Sequence, residues 1–140
     1  MINAYYFYKI AHKLYLWKVP LLPSLIKLSI FLLFNSNIPF QCIIGKGTKF
    51  GYGGIGVVIH KRCEIGRNCS IGTNVTIGGK SPHYDVPKIG NNVYMATGSK
   101  ILGPITVGDN VIIGANAVVV KNIPDNCTVA GVPAKIIKNG

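Results

Sequence analysis

Two histidines and a nearby aspartate are the residues of this chain best suited to chemistry. His60 ends the run VVIH, and His83 lies in the turn-rich segment GGKSPHYDVPK, two residues before Asp85. A neutral imidazole can take a proton from an alcohol near neutral pH, so each histidine is a candidate general base, with Asp85 a candidate to orient the ring. The alternative is that the histidines are polar turn residues and that Asp85 only keeps the loop soluble.

A repeat of six residues indicates how the histidines are positioned. Apolar side chains recur every sixth residue, at positions 44 and 50, then 59, 65, 71, 77, 89, 95, 101, 107, 113 and 119. Small or branched residues follow four positions later, at 63, 69, 75, 93, 99, 105, 111 and 117. Such a period is typical of a parallel β-helix, in which three hexads close a triangular coil of about eighteen residues. We therefore predict an all-β fold in which both sets point inward.

Stacking of such coils predicts a column of residues at one corner. If each residue lies beneath the one about eighteen positions later, His60 lies beneath Gly78, and Ala96 and Gly114 continue the column. This requires the segment between positions 77 and 89 to preserve the phase while it extends as a loop. His83 on that loop would then share the corner with His60, beside small residues that let an extended cofactor lie against the backbone.

The composition divides the chain into an N-terminal helical segment, residues 1–40, and a β-helix domain, residues 41–140. The first part contains Lys9, Lys13, Lys18 and Lys27, no acidic residue and many large apolar side chains. The spacing of the apolar side chains predicts two short helices, separated where prolines interrupt the helical pattern. The second apolar run is too short to span a bilayer. The segment can therefore pack on the protein, pack on a neighbouring subunit or make peripheral contact with a membrane.

Charge and cysteine content narrow the classes of partner. Fifteen Lys and Arg against four acidic residues give a formal charge of +11, which favours an anionic partner such as nucleotide phosphates or lipid headgroups. Nucleic acid is not favoured, because aromatic residues are sparse in the repeats and the basic residues form no stripe.

Cys63 and Cys69 are one repeat apart, so we interpret them as small core residues, and we predict no metal site. Reduced thiols without a signal pattern indicate a cytoplasmic protein.

Residues 43–137 resemble the hexapeptide-repeat acyltransferases. The likeness lies in GVVIHKRCEIGRNCSIGTNVTIGG, PKIGNNVYMATGSKILGPITVGDNVIIGANAVVVKNIP and AGVPAKII, and it is strongest to the serine acetyltransferase group and its short relatives in surface-polysaccharide synthesis. The resemblance implies a left-handed β-helix, a homotrimer and acetyl-CoA bound in the groove between neighbouring subunits. It also implies direct acetyl transfer, in which a histidine deprotonates the acceptor hydroxyl and backbone N–H groups stabilise the oxyanion.

The resemblance also assigns candidate site residues. The loop of His83 corresponds to a loop that bears a functional histidine in serine acetyltransferases. The other family histidine, preceded by an aspartate, belongs in the bend FGYGG, where either Gly51-Tyr52 or Tyr52-Gly53 replaces the pair. His60 is the nearest substitute for it. We take Tyr52 and Tyr84 as candidate substrate-binding residues. The candidates for contact with the cofactor are Gly78, Ala96, Gly114 and Ala115 along the pantetheine arm, and Lys121 and Lys135 at the phosphates.

The sequence of the bend FGYGG indicates which acceptor the enzyme uses, because the aspartate that precedes the family histidine is missing there. Serine carries an ammonium group that needs a carboxylate partner, so we expect a sugar hydroxyl in polysaccharide synthesis as the acceptor, with serine as the alternative. An alternative of another class is a non-catalytic β-helix that binds anionic lipid or nucleic acid through its basic surface. Residues 1–40 would bring the enzyme to the inner face of the membrane if they contact lipid.

Overall fold

A computed structural model describes all residues 1–140, which form two helices followed by a parallel β-helix. The helices are α1 (Ala4–Leu16) and α2 (Leu22–Phe34), and a short 3-10 turn spans Gly51–Gly54. The strands are β1 (Ile43–Ile44), β2 (Lys49–Phe50), β3 (Val58–Ile59), β4 (Glu64–Ile65), β5 (Ser70–Ile71), β6 (Thr76–Gly78), β7 (Lys88–Ile89), β8 (Tyr94–Met95), β9 (Lys100–Leu102), β10 (Thr106–Val107), β11 (Ile112–Ile113), β12 (Val118–Val119), β13 (Cys127–Ala130) and β14 (Lys135–Asn139).

The strands form the three faces of a triangular prism, which confirms the predicted solenoid. Face 1 contains β1, β4, β7 and β10; face 2 contains β2, β5, β8, β11, β13 and β14; face 3 contains β3, β6, β9 and β12. Neighbouring strands pair in parallel, except that β14 runs antiparallel to β13. We name the corners by the faces they join, so that the chain turns through corner 1–2, corner 2–3 and corner 3–1 in each coil.

Both predicted inward sets lie in the core. Every position of the two sets is buried, and aligned side chains stack directly, as Phe50, Ile71 and Met95 do on face 2. The four cysteines are free and buried. Burial raises the pKa of Cys42 to about 12 and that of Cys63 to about 11, so these thiols stay protonated and serve as packing groups.

The predicted column of small residues above His60 is wrong beyond Gly78. Ile77 pairs with Ile101, one hexad later than a coil of about eighteen residues would place its partner, and Gly78 pairs with Leu102. The loop after β6 is one hexad long but does not form a side of the triangle. The spacing of six between inward residues is therefore kept, whereas every residue after the loop lies one corner away from its predicted position. Ala96 and Gly114 instead follow β8 and β11 of face 2 and stack at corner 2–3.

The three corners differ in their tolerance of side chains. At corner 1–2 a Cβ added to Gly66 would lie 2.4 Å from the carbonyl oxygen of Gly90, whereas at corner 3–1 a Cβ on Gly78 would meet nothing nearer than 3.7 Å. Corners 1–2 and 2–3 also use left-handed turn residues, such as Asn68 and Asn74, with φ of 56° and 57°. His60 therefore occupies the corner at which the backbone leaves room for a side chain.

Helix α1 closes the N-terminal end of the β-helix core. The hydroxyl of Tyr8 donates to the carbonyl oxygen of Cys42 and accepts from the backbone N–H of Ile44 at 3.2 Å. Nδ1 of His12 lies 2.7 Å from the carbonyl oxygen of Phe40. Because a carbonyl can only accept, Nδ1 of His12 carries a proton, and this histidine joins α1 to the first coil.

The two predicted helices are present, and both pack on the β-helix through one continuous core. Residues of α1 and α2, such as Tyr8, Ile30 and Phe34, share a single hydrophobic cluster with the strand residues. Helix α2 begins at Leu22, so that Pro23 lies in its first turn, where proline is tolerated. Neither helix has the length and apolarity that crossing a bilayer requires.

Candidate active site

A cleft of about 410 Å³ lies at corner 3–1, where the loop between β6 and β7 rests beside the next coils. Lys80 and His83 contribute to it from the loop, Leu102 contributes from the end of β9, and Lys121 and Asn122 contribute from the turn after β12. Asn122 is fixed in place because its side-chain oxygen accepts from the backbone N–H of Thr106 at 2.8 Å. The cleft thus combines a histidine, two cations and an apolar wall.

His60 lies at the same corner, one coil below this loop. Its backbone N–H donates to the carbonyl oxygen of Ile77 at 2.9 Å, and its ring Nδ1 accepts from the backbone N–H of Arg62 at 3.1 Å. A backbone N–H can only donate, so Nδ1 is unprotonated and the neutral ring carries its proton on Nε2. Partial burial and the nearby charges of Arg62 and Lys61 lower the pKa of His60 below its ordinary value of 6.5, which favours that neutral form.

His83 differs from His60 in having both ring nitrogens free of protein hydrogen bonds. Its side chain is exposed at the cleft, and its backbone N–H closes a turn onto the carbonyl oxygen of Lys80 at 2.9 Å. No hydrogen bond joins Asp85 to His83, and the Asp85 side chain is exposed. Because no hydrogen bond fixes its tautomer, either nitrogen of His83 can accept a proton.

Arg62 connects the turn of His60 to the loop of His83. Its guanidinium donates to the carbonyl oxygen of Tyr84, and its Cζ lies 3.9 Å from the centre of the Tyr84 ring. The Tyr84 side chain is otherwise exposed. Sequence reasoning missed Arg62 as a site residue, although its position two residues after His60 was a signal available in the sequence.

A second cleft, of about 280 Å³, continues the first toward the C-terminus. It is lined by residues that include Lys121 and Asn122 of the first cleft, together with Pro133, Ala134 and Lys135. The predicted cations Lys121 and Lys135 therefore face one groove, and Lys121 also borders the cleft of His83. This groove can receive an extended anionic molecule whose reactive end lies at His83.

Several predicted residues lie at a different corner of the same chain. Tyr52 belongs to the bend between β2 and β3 at corner 2–3, where it lines an apolar cleft of about 430 Å³ with Leu33 and Ile55. Ala96, Gly114 and Ala115 are also at corner 2–3. Within one chain the structure therefore divides the candidates between two corners. Tyr52, Ala96, Gly114 and Ala115 lie at corner 2–3. The candidates at corner 3–1 are His60, Gly78, His83, Tyr84, Asp85 and Lys121, with Lys135 beside Lys121.

Comparison with known proteins shows which enzymes this chain resembles. A family model described as "Bacterial transferase hexapeptide (six repeats)" matches residues 87–121. Serine acetyltransferases from Staphylococcus xylosus and Synechococcus elongatus are 40% and 37% identical to the chain, over 98% and 93% of its length. The chain spans 64% and 54% of the length of these two relatives.

Solved structures of serine acetyltransferases share the fold. The enzyme from Brucella abortus strain S19 in complex with coenzyme A superposes with a TM-score of 0.91 at 34% identity, covering 98% of this chain and 56% of that one. The enzyme from Neisseria gonorrhoeae in complex with serine gives a TM-score of 0.89 at 34% identity, covering 96% and 55%. The chain therefore carries transferase hexapeptide repeats on a left-handed β-helix and is similar in sequence and fold to the serine acetyltransferases.

Proposed function

We propose that this chain is an acetyl-CoA-dependent O-acetyltransferase and that serine is its acceptor. The observation that carries the proposal is the groove in which His83, Lys121 and Lys135 follow one another, in a chain similar to enzymes solved with coenzyme A and with serine. The relatives favour the serine alternative over the sugar acceptor that the sequence analysis placed first.

His83 is the general base in this proposal. It takes the proton of the acceptor hydroxyl as the oxygen attacks the carbonyl carbon of the acetyl thioester. Collapse of the tetrahedral intermediate breaks the carbon–sulfur bond, and the imidazolium of His83 returns the proton to the departing thiolate of coenzyme A. No enzyme-bound acetyl group forms.

His60 has a different role, because its tautomer makes it a donor. With Nδ1 occupied by the backbone N–H of Arg62, the ring offers Nε2–H to corner 3–1. An N–H directed at an oxygen of the acceptor or of the thioester holds that oxygen in place and stabilises negative charge on it. The division of roles explains why two histidines occupy one corner.

A trimer would reconcile the two groups of candidate residues. A threefold assembly of a triangular prism can bring corner 3–1 of one subunit against corner 2–3 of its neighbour. Tyr52, Ala96, Gly114 and Ala115 would then border the groove of His83 and Lys121 from the adjacent subunit. Acetyl-CoA would lie between subunits, with its phosphates near Lys121 and Lys135.

Within the loop, two charged residues can recognise serine. Asp85 can pair with the ammonium group of serine, and Lys80, which lines the cleft, can pair with the carboxylate. A sugar hydroxyl is the second candidate acceptor. It is favoured by the bend FGYGG, which lacks the aspartate and histidine that the resemblance to serine acetyltransferases implies there.

An acceptor screen tests the proposal. Release of coenzyme A from acetyl-CoA is followed with serine and with a panel of neutral sugars, using the wild type and His83→Gln. We expect serine to stimulate release and His83→Gln to lower kcat about a hundredfold or more. Stimulation by a sugar alone would replace serine by the second candidate, and background release with every acceptor would overturn the assignment as an acetyltransferase.

A further inference from the structure

Helix α2 is apolar on the side that faces away from the protein. Ile30 and Phe34 are buried against the core, whereas Leu25, Leu28 and Leu32 are 58%, 51% and 71% exposed. Their spacing of three and four residues places these leucines in one stripe, which we call the α2 stripe. Leu22, Phe31 and Leu33 extend it on both sides. A contiguous exposed apolar patch marks a surface that contacts another protein or a membrane, so the α2 stripe requires a partner.

The charge around the α2 stripe selects the chemistry of that partner. Residues 1–63 contain no acidic residue, and α1, α2 and their connection carry Lys9, Lys13, Lys18 and Lys27. A groove of about 450 Å³ beside the stripe is lined by Ser24, Lys27, Leu28, Phe31 and Asn37. It sets an ammonium, a hydroxyl and an amide next to an apolar wall, which suits a phosphate group attached to hydrocarbon.

Helix α1 presents a second surface of the same character. Tyr6, Ile10 and Trp17 are exposed, and Nζ of Lys13 lies 4.9 Å from the centre of the Trp17 ring. Tryptophan and lysine side chains are enriched where proteins meet the headgroup layer of a bilayer. Because neither helix can cross a bilayer, such contact would be confined to one surface of it.

A second copy of the chain is a poorer partner for the α2 stripe. Another copy would bring the same lysines to the contact with no carboxylate from residues 1–63 to balance them, and like charges at an interface are unfavourable. An anionic bilayer supplies both the hydrocarbon and the opposite charge.

From these observations we propose that α2 docks on an anionic phospholipid surface. The helix lies parallel to the membrane, with Leu25, Leu28 and Leu32 at the acyl boundary and Lys27 at the level of the phosphates. The contact is independent of the acetyltransferase reaction and would hold the groove of corner 3–1 close to a membrane.

Vesicle flotation with the full chain tests this inference. Vesicles of phosphatidylcholine alone are compared with vesicles that contain phosphatidylglycerol as well, at low and high salt. We expect binding to the anionic vesicles only, and weaker binding at high salt. Combining Leu28→Ser with Leu32→Ser should lower the partition coefficient about tenfold or more, because less apolar area enters the bilayer. Ile137→Ser, which removes an aliphatic side chain 67% exposed on β14, is the matched control and should bind as the wild type does.

Three outcomes would overturn the proposal. The first is that the chain does not bind anionic vesicles, and the second is that it binds neutral vesicles equally well. The third is that, without lipid, the double variant has a lower molecular mass than the wild type by light scattering. The third would identify the α2 stripe as an interface between copies. Acetyl transfer to soluble serine by the same variant separates this result from failure of the proposed function, because the stripe lies outside the groove.

Discussion

The guanidinium of Arg62 stacks on the ring of Tyr84, 3.9 Å from its centre, and donates to the Tyr84 carbonyl oxygen. The two contacts join adjacent coils at corner 3–1 and fix the loop that carries His83. An exposed cation–π contact contributes about 0.5–1 kcal/mol, which is small beside the stability of a whole domain. Its effect should therefore appear in the position of the loop.

Removing the contact should slow the reaction while leaving the fold intact. We expect Arg62→Ala to lower kcat about three- to tenfold, with little change in Tm, because the loop is no longer held above His60. Tyr84→Ala removes the ring but keeps the carbonyl oxygen, so it should lower kcat by no more than Arg62→Ala does and should not add to that effect in the double variant. Tyr84→Phe keeps the ring and the carbonyl oxygen and should match the wild type. Steady-state kinetics and thermal unfolding check these outcomes, and a lowered Tm with unchanged kcat would contradict them.

The two amide substitutions of His60 should separate its two nitrogens. The amide of asparagine overlays Nδ1 and keeps an acceptor for the backbone N–H of Arg62, whereas the amide of glutamine overlays Nε2 and keeps a donor at that position. We expect His60→Gln to retain more activity than His60→Asn, which should lose about a hundredfold in kcat if an N–H at Nε2 stabilises charge. Nitrogen NMR shifts of the wild type should show the Nε2–H tautomer; an Nδ1–H signature would refute the assignment.

Acid should destabilise the fold through His60. Its folded-state pKa is lowered from 6.5, so the unfolded state binds more protons as the pH falls below about 6.5. The contribution of His60 to stability is complete above that pH and declines as the pH falls toward the folded-state pKa. Tm measured between pH 7.5 and pH 5 should fall, and it should fall less in His60→Asn. An identical pH dependence in the variant would contradict this expectation.

Two glycines at equivalent repeat positions should differ in their tolerance of alanine. A Cβ at Gly66 would lie 2.4 Å from the carbonyl oxygen of Gly90, so Gly66→Ala should destabilise by about 1–3 kcal/mol. Gly78→Ala places its methyl group 3.7 Å from the nearest atom and should leave Tm nearly unchanged. Thermal unfolding at equal protein concentration compares them, and similar losses in both would show that the corners do not differ.

Lys135 and Lys138 lie on the same strand but line different grooves. Lys135 faces the groove shared with Lys121, whereas Lys138 borders a separate groove beside Asn110 and Thr128. We expect Lys135→Ala to raise KM for acetyl-CoA about three- to tenfold, because a charge-assisted contact to phosphate is lost. The increase in KM should be smaller at high salt, which screens that contact in the wild type. Lys138→Ala should leave KM unchanged. Equal effects of both changes would indicate a general charge effect.

The repeat explains which parts of the structure were predictable from sequence. The inward positions follow from the period of six, because every strand must bury an aliphatic side chain, and Ile71 and Met95 stack as expected. The position of Ala96 was not predictable from sequence. A loop as long as one hexad leaves the period of six intact and changes only the corner at which the later residues lie. The tautomer of His60 depends on a hydrogen bond from Arg62, which residue spacing cannot show.

The antiparallel strand β14 has a consequence for how the molecule behaves in crowded solution. A solenoid with an open end offers an unpaired strand edge and an apolar cross-section onto which another molecule can add, and repeated addition gives a filament. Here β14 pairs against β13 in the direction opposite to the coils and places Lys135 and Lys138 on the edge, while Tyr8 of α1 closes the other end. Helix α1 and strand β14 therefore cover the two ends of the solenoid, and we expect them to disfavour polymerisation along its axis.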